Sequence, residues 1–137
     1  GSNTLVYTDG SVKAGTMYTY TVRAYEGSAL SAYNKNGSRI VRLTAPVQYK
    51  PSSKASGKLT VRWKKAAGAS GYQIQYAADS RFTKERKTVT VGKQSATRYK
   101  ISGLKNKKTY YVRIRSYKRV GKKVLYSSWS TVKKIWV

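Results

Sequence analysis

Leu59, Val61 and Trp63 alternate with Thr60, Arg62 and Lys64, the period of two that a strand buried on one face requires. Tyr72, Ile74 and Tyr76 alternate in the same way with Gln73 and Gln75, and Gly68, Gly71 and the Ala-Gly-Ala-Ser stretch between the two runs supply turn punctuation. Val89 with Val91 and Tyr99 with Ile101 mark two further short strands. The longest run sets Tyr110, Val112 and Ile114 against Tyr111, Arg113 and Arg115, and Val132, Ile135 and Val137 close the chain. With Val47 and Tyr49 as an opening strand, the pattern predicts seven short strands in about 90 residues, the signature of a two-sheet antiparallel β-sandwich.

The chain also repeats itself. At an offset of 92 residues Tyr7 falls on Tyr99, Val12 on Leu104, Lys13 on Lys105, and Tyr18, Val22, Arg23 and Tyr25 on Tyr110, Ile114, Arg115 and Tyr117. Ile40 and Leu43 then fall on Val132 and Ile135 without a gap. Solenoid repeats run to about 20 to 50 residues, so this period indicates tandem copies of a small domain. Residues 1–45 read as the C-terminal half of one domain and residues 46–137 as a complete one. Gly1-Ser2 reads as a cloning remnant, and a start in mid-domain leads us to expect further chain upstream.

Charge sharpens the picture. The 137 residues carry 29 Lys plus Arg against 4 Asp plus Glu, a net +25. Residues 1–46 hold 5 bases and 2 acids, whereas residues 47–137 hold 24 and 2. Any electrostatic function therefore belongs mainly to the complete domain. Cysteine is absent, which removes disulfides and thiolate metal ligands. No apolar run approaches the roughly 20 residues that a membrane-spanning helix needs.

Several motifs resemble the fibronectin type III domain: Trp63 in the second strand, Gly71-Tyr72-Gln73-Ile74-Gln75-Tyr76 in the third, and Leu104 six residues before Tyr110, which looks like that family's tyrosine corner. Ser127-Ser128-Trp129-Ser130 before the last strand also fits. The resemblance covers residues 46–137 in full and residues 3–45 as the last three strands, E, F and G. It implies an all-β, immunoglobulin-like sandwich in which Trp63, Leu104, Tyr110 and Trp129 are structural. The Lys- and Tyr-rich character resembles repeats of secreted and surface proteins of Gram-positive bacteria, which implies an extracellular or wall-attached protein.

In such a sandwich the third, sixth and seventh strands share a sheet, so Gln73, Gln75, Tyr111, Arg113, Arg115 and Tyr117 are expected to project together from its outer surface. Aromatic rings beside guanidinium and amide groups suit sugar rings, phosphates or carboxylates; cross-strand packing and solubility alone would use the same residue types. Trp136 points outward at the exit, toward a following domain or as an exposed contact. Asp79, in the turn that also holds Phe82, is expected to cap that turn.

Catalysis is not expected. The chain has no His and no Cys, so the usual proton shuttle and thiol nucleophile are missing. Asp79 and Glu85 lie among Arg81, Lys84, Arg86 and Lys87, and neighbouring cations favour the ionised carboxylate, the wrong direction for a general acid. Neither cofactor nor metal centre is expected, with no ligand cluster or phosphate-cradling loop in the sequence.

Three readings remain. The first is a non-catalytic accessory module of a larger secreted or surface protein, adhering to anionic cell-wall polymers or glycans through long-range attraction. A structural spacer between neighbouring domains is the alternative. Non-specific nucleic-acid binding is third, with no recognition helix or RNA-binding motif to make it specific. Residues 3–45 would present Tyr18, Tyr20, Val22 and Ile40 to a core whose other half is missing. A homodimer through this half-domain, or an upstream fragment, is expected to cover them.

Overall fold

The computed structural model describes residues 6–137, so Gly1-Ser2 lies outside the described residues. Every regular element among the described residues is a β-strand. The complete domain is built from β5 (Ser52–Ala55), β6 (Lys58–Arg62), β7 (Gly71–Ala77), β8 (Lys87–Val91), β9 (Arg98–Ile101), β10 (Thr109–Val120), β11 (Lys123–Tyr126) and β12 (Lys133–Trp136). It is preceded by β1 (Met17–Tyr20), β2 (Tyr25–Glu26), β3 (Ala29–Leu30) and β4 (Ser38–Val41).

Two antiparallel sheets form the sandwich. One runs β5-β6-β9, and the other runs β11-β10-β7-β8 with β12 also pairing with β10. Their inner faces meet in one core: Leu59, Val61, Trp63 and Ile101 from the first sheet pack against Tyr72, Ile74, Tyr76, Tyr110, Val112 and Ile114 from the second. The period-2 alternation delivers these residues inward, and their burial is what drives the two sheets together. The Trp63 and Tyr72 rings lie 5.2 Å apart. Tyr72 can be fully buried because its hydroxyl is satisfied, accepting from the Ala66 N–H at 3.0 Å and donating to the Gln94 carbonyl at 3.1 Å.

The structure departs from the sequence pattern at three places. Val47 and Tyr49 are exposed, and Gln48 between them is buried. The reason is register: Tyr49 N–H donates to Arg62 O and Lys64 N–H to Val47 O, so Gln48 faces Trp63 in an isolated bridge and the flanking residues point out. The pairing strand proper begins later, at β5. Second, β10 extends to Val120 and folds back through a hairpin into β11, with Tyr117 opposite Tyr126. Third, the last strand is Lys133–Trp136, and Val132 lies outside it and exposed. Ile40 pairs with Tyr18 whereas Ile135 pairs with Tyr110, so the 92-residue offset becomes 95 at the final strand.

The N-terminal segment reproduces one fine detail of the complete domain. Lys13 N–H donates to the Tyr18 hydroxyl at 3.0 Å, and Lys105 N–H donates to the Tyr110 hydroxyl at 3.0 Å. Its β1 and β4 form a two-stranded sheet, beside a short β2-β3 hairpin. Val22 is 76% exposed where its counterpart Ile114 is 0% exposed. A cleft of about 1040 Å³ lined by Tyr7, Val12, Tyr18, Tyr20, Val22 and Ile40 opens on that side. The segment touches the complete domain through the Ser116 hydroxyl, which donates to Thr44 O at 3.0 Å, and through backbone contact between Gly15 and Gly68.

Candidate functional site

The outer face of the five-stranded sheet holds the residues singled out from the sequence. Alternation along β10 puts Tyr111, Arg113 and Arg115 opposite in sense to the buried Val112 and Ile114. On β7, Gln75 stands across from Arg113 and Gln73 across from Arg115. Arg113 donates through Nε and Nη2 to Gln75 Oε1 at 3.0 and 2.8 Å, and Arg115 donates through Nε and Nη2 to Gln73 Oε1 at 2.9 and 2.6 Å. Each guanidinium is thereby fixed by two nitrogens on one amide oxygen of the neighbouring strand.

Aromatic rings then cover both guanidinium planes. The Arg113 Cζ lies 4.1 Å from the centre of the Phe82 ring and 4.6 Å from that of Trp129. For Arg115 the rings are Tyr126, at 3.8 Å, and Trp129 again, at 4.4 Å. The order Phe82, Arg113, Trp129, Arg115, Tyr126 is a continuous ladder of alternating rings and cations, extended by Tyr117 against Tyr126 at 6.3 Å. Burial, followed by the positive neighbours Arg115 and Arg86, pulls the Arg113 pKa below the ordinary guanidinium value.

Two local devices put the rings in place. Between β11 and β12 the chain runs beside β10 without being a strand. Ser127 N–H donates to Ser116 O at 3.0 Å and Ser130 N–H to Ile114 O at 2.8 Å. The hydroxyls of the same two serines accept from Ser116 N–H and Ile114 N–H, each at 3.0 Å. Backbone and side chain of each serine thus replace a ladder rung, and Trp129 between them is turned over the arginines. On the other side Asp79 caps the turn: its Oδ1 accepts from Thr83 N–H at 2.9 Å and Lys84 N–H at 2.7 Å, and its Oδ2 from the Thr83 hydroxyl at 2.8 Å. That turn holds Phe82 at φ 58°, a left-handed conformation costly for a bulky residue, and burial of its ring against Arg113 offsets the strain.

The expected surface is therefore only partly a surface. Gln73, Gln75, Tyr111, Arg113 and Arg115 share the face and are half-buried, but Tyr117 is 4% exposed and lies over Gly71. Trp129 lies over Arg113 and Arg115, and Trp136 is 63% exposed opposite Thr109. Trp63 is buried in the core, Leu104 packs against it, and Tyr110 adds an edge contact with Tyr76 at 6.5 Å. Phe82 and Tyr126 belong to the ladder without having been assigned to it from the sequence. Their signal was faint: Phe82 is the only phenylalanine, and Tyr126 immediately precedes the Ser127–Ser130 clip.

Elsewhere Glu85 accepts from Lys108 at 2.8 Å and Lys105 at 3.1 Å, and these lysines, Lys108 first, hold its carboxyl below the usual 4.5. Asp79 is held below 3.8, chiefly by the Lys84 backbone N–H. Among the described residues no three His, Cys, Asp or Glu side chains come together, and no helix is long and apolar enough to cross a membrane.

A family model for the fibronectin type III domain matches residues 44–133. A β-1,2-glucanase from Parabacteroides distasonis superposes with a TM-score of 0.57 at 17% identity over 69% of the chain, which spans only 12% of the glucanase. A myokine structure matches at TM-score 0.54 and 14% identity over 68% of this chain and 95% of its own. An Fn3-like protein from Clostridium thermocellum gives 0.50 and 15% over 67% and 86%. At such identities the likeness is one of fold. No curated protein sequence matches the chain.

Proposed function

The chain belongs to the fibronectin type III family, whose domains are generally non-catalytic accessory or structural modules, and from that premise we propose that it is an adhesive or targeting module of a larger extracellular bacterial protein, drawn to anionic or carbohydrate-rich surfaces. The observation that carries this reading is the state of its charge. Residues 47–137 hold 24 bases, and their two acids are both committed internally, Asp79 to its turn and Glu85 to Lys105 and Lys108. Most of the positive charge is therefore unneutralised and solvent-facing. Such a field attracts polyanions over about one Debye length, roughly 8 Å at physiological salt. Binding to a panel of acidic polysaccharides, poly(glycerol phosphate), neutral polysaccharides and duplex DNA at physiological salt tests it. Selective retention of one acidic polymer class supports targeting; equal, weak retention of every polyanion leaves a spacer.

The spacer reading has its own observation. The ladder covers both faces of Arg113 and Arg115 and engages two nitrogens of each, so these cations serve the fold first. The open cleft of the N-terminal segment supports a second proposal, that a second copy or an upstream fragment packs on Tyr18, Tyr20, Val22 and Ile40.

A further inference from the structure

The outer face of β5-β6-β9 carries an arrangement of charges that internal packing does not explain. Arg62 on β6 stands directly across from Arg98 on β9, and Lys100 lies two residues along β9, across from Thr60. Tyr49 completes the first row, because the hydrogen bond from its N–H to Arg62 O sets it beside Arg62 on the outward side. Tyr49, Arg62, Arg98 and Lys100 are all exposed. Neither salt bridge of the described residues involves this face, and no ring covers its arginines as rings cover Arg113 and Arg115. Like charges directly opposed across a strand pair destabilise a sheet, so this row works against the fold unless an anion bridges it.

We propose that the row Tyr49, Arg62, Arg98, with Lys100 beside it, is a docking site for an acidic polysaccharide, an inference that rests on the targeting reading above. Strand spacing sets the two guanidinium groups about 5 Å apart at their Cα atoms, close enough to share one acid group or hold neighbouring ones. Arginine matches a carboxylate, sulfate or phosphate bidentately. Tyr49 at the end of the row offers a ring face for a sugar. A single ring fits a polymer of acid-bearing sugars better than a nucleic-acid strand, which is held by a succession of stacking rings.

The experiment compares wild type with Arg62→Gln/Arg98→Gln, Tyr49→Ala and, as a charge-matched control on the distant β10-β11 turn, Lys122→Gln/Lys123→Gln. Polygalacturonate, poly(glycerol phosphate) and single-stranded DNA are the probes. The arginine pair should bind polygalacturonate about tenfold more weakly, with a salt slope shallower by about 1.4, two contacts at about 0.7 each. The control pair should change affinity by about twofold at most. Tyr49→Ala should weaken polygalacturonate and leave poly(glycerol phosphate), which has no ring, unchanged. Without polymer, Arg62→Gln/Arg98→Gln should melt no lower than wild type, since a repulsive pair is gone.

Equal losses in the two double variants, or tighter binding of DNA than of polygalacturonate, would overturn the site while leaving the targeting reading in place. Failure of the wild type to bind any of the three polymers would remove both.

Discussion

Arg115 is held by shape as much as by charge, between two rings and with two nitrogens on one amide oxygen. Arg115→Lys keeps the charge and loses the flat fit, and should cost about 1 to 2 kcal/mol. In a domain of this size that lowers the melting temperature by about 4 to 8 °C per kcal/mol; an unchanged melting curve would show that the ladder contributes nothing. Gly71 is required for a different reason. A methyl group there would meet the Val91 carbonyl and lie 2.7 Å from the Tyr117 hydroxyl, so Gly71→Ala should displace Tyr117 and destabilise the domain, read from the urea midpoint. In the complete domain the depressed carboxyls of Asp79 and Glu85 set the acid limit. A carboxyl held low in the folded state stabilises fully above its unfolded value and loses that effect as pH falls through its folded value. The urea midpoint should therefore be flat down to about pH 5 and fall below about pH 4, and Asp79→Asn should flatten that fall. An acid limb unchanged in this variant would separate the turn cap from acid stability.

The core strands were legible in sequence wherever one face is apolar without interruption, as in Leu59-Val61-Trp63 and Tyr72-Ile74-Tyr76. The β10-β11 hairpin was not, because Ser116 and Tyr117 are buried in succession and the alternation stops there. Val47 and Tyr49 misled for the opposite reason: two apolar residues in step suggest an inward face, whereas backbone pairing to Arg62 and Lys64 turns Gln48 inward. The outward placement of Arg113 and Arg115 was readable from β10 alone. Their covering was not, since Phe82, Tyr126 and Trp129 come from turns whose direction depends on Asp79 and on the serine clip. The paired tyrosine corners give an element-level prediction. Tyr110→Phe removes a bond at the buried edge of the core and should cost about 1 kcal/mol. Tyr18→Phe breaks the same bond at an exposed one and should leave the main melting transition in place. Equal effects of the two changes would mean that the two parts melt as one unit.

At the scale of the whole molecule, the sandwich has two outer faces with different fates. One consumes its arginines in stacking, and the other leaves Arg62, Arg98 and Lys100 open. The N-terminal segment adds an exposed apolar surface. Burying a side chain such as Val22 is worth about 1.5 to 3 kcal/mol, so chains should associate with rising concentration in sedimentation velocity, and Val22→Asp/Ile40→Asp should remain monomeric. A wild type that is monomeric at all concentrations would remove pairing of copies through this surface.

The most direct measurement is a backbone-amide chemical-shift titration of the chain with polygalacturonate at physiological salt. Shifts that saturate and cluster at Tyr49, Lys58–Arg62 and Arg98–Ile101 are the expected result. Saturable shifts confined to Tyr111–Tyr117 and Tyr126–Ser130 would place recognition on the ladder instead, and the absence of saturable shifts would contradict targeting by this domain.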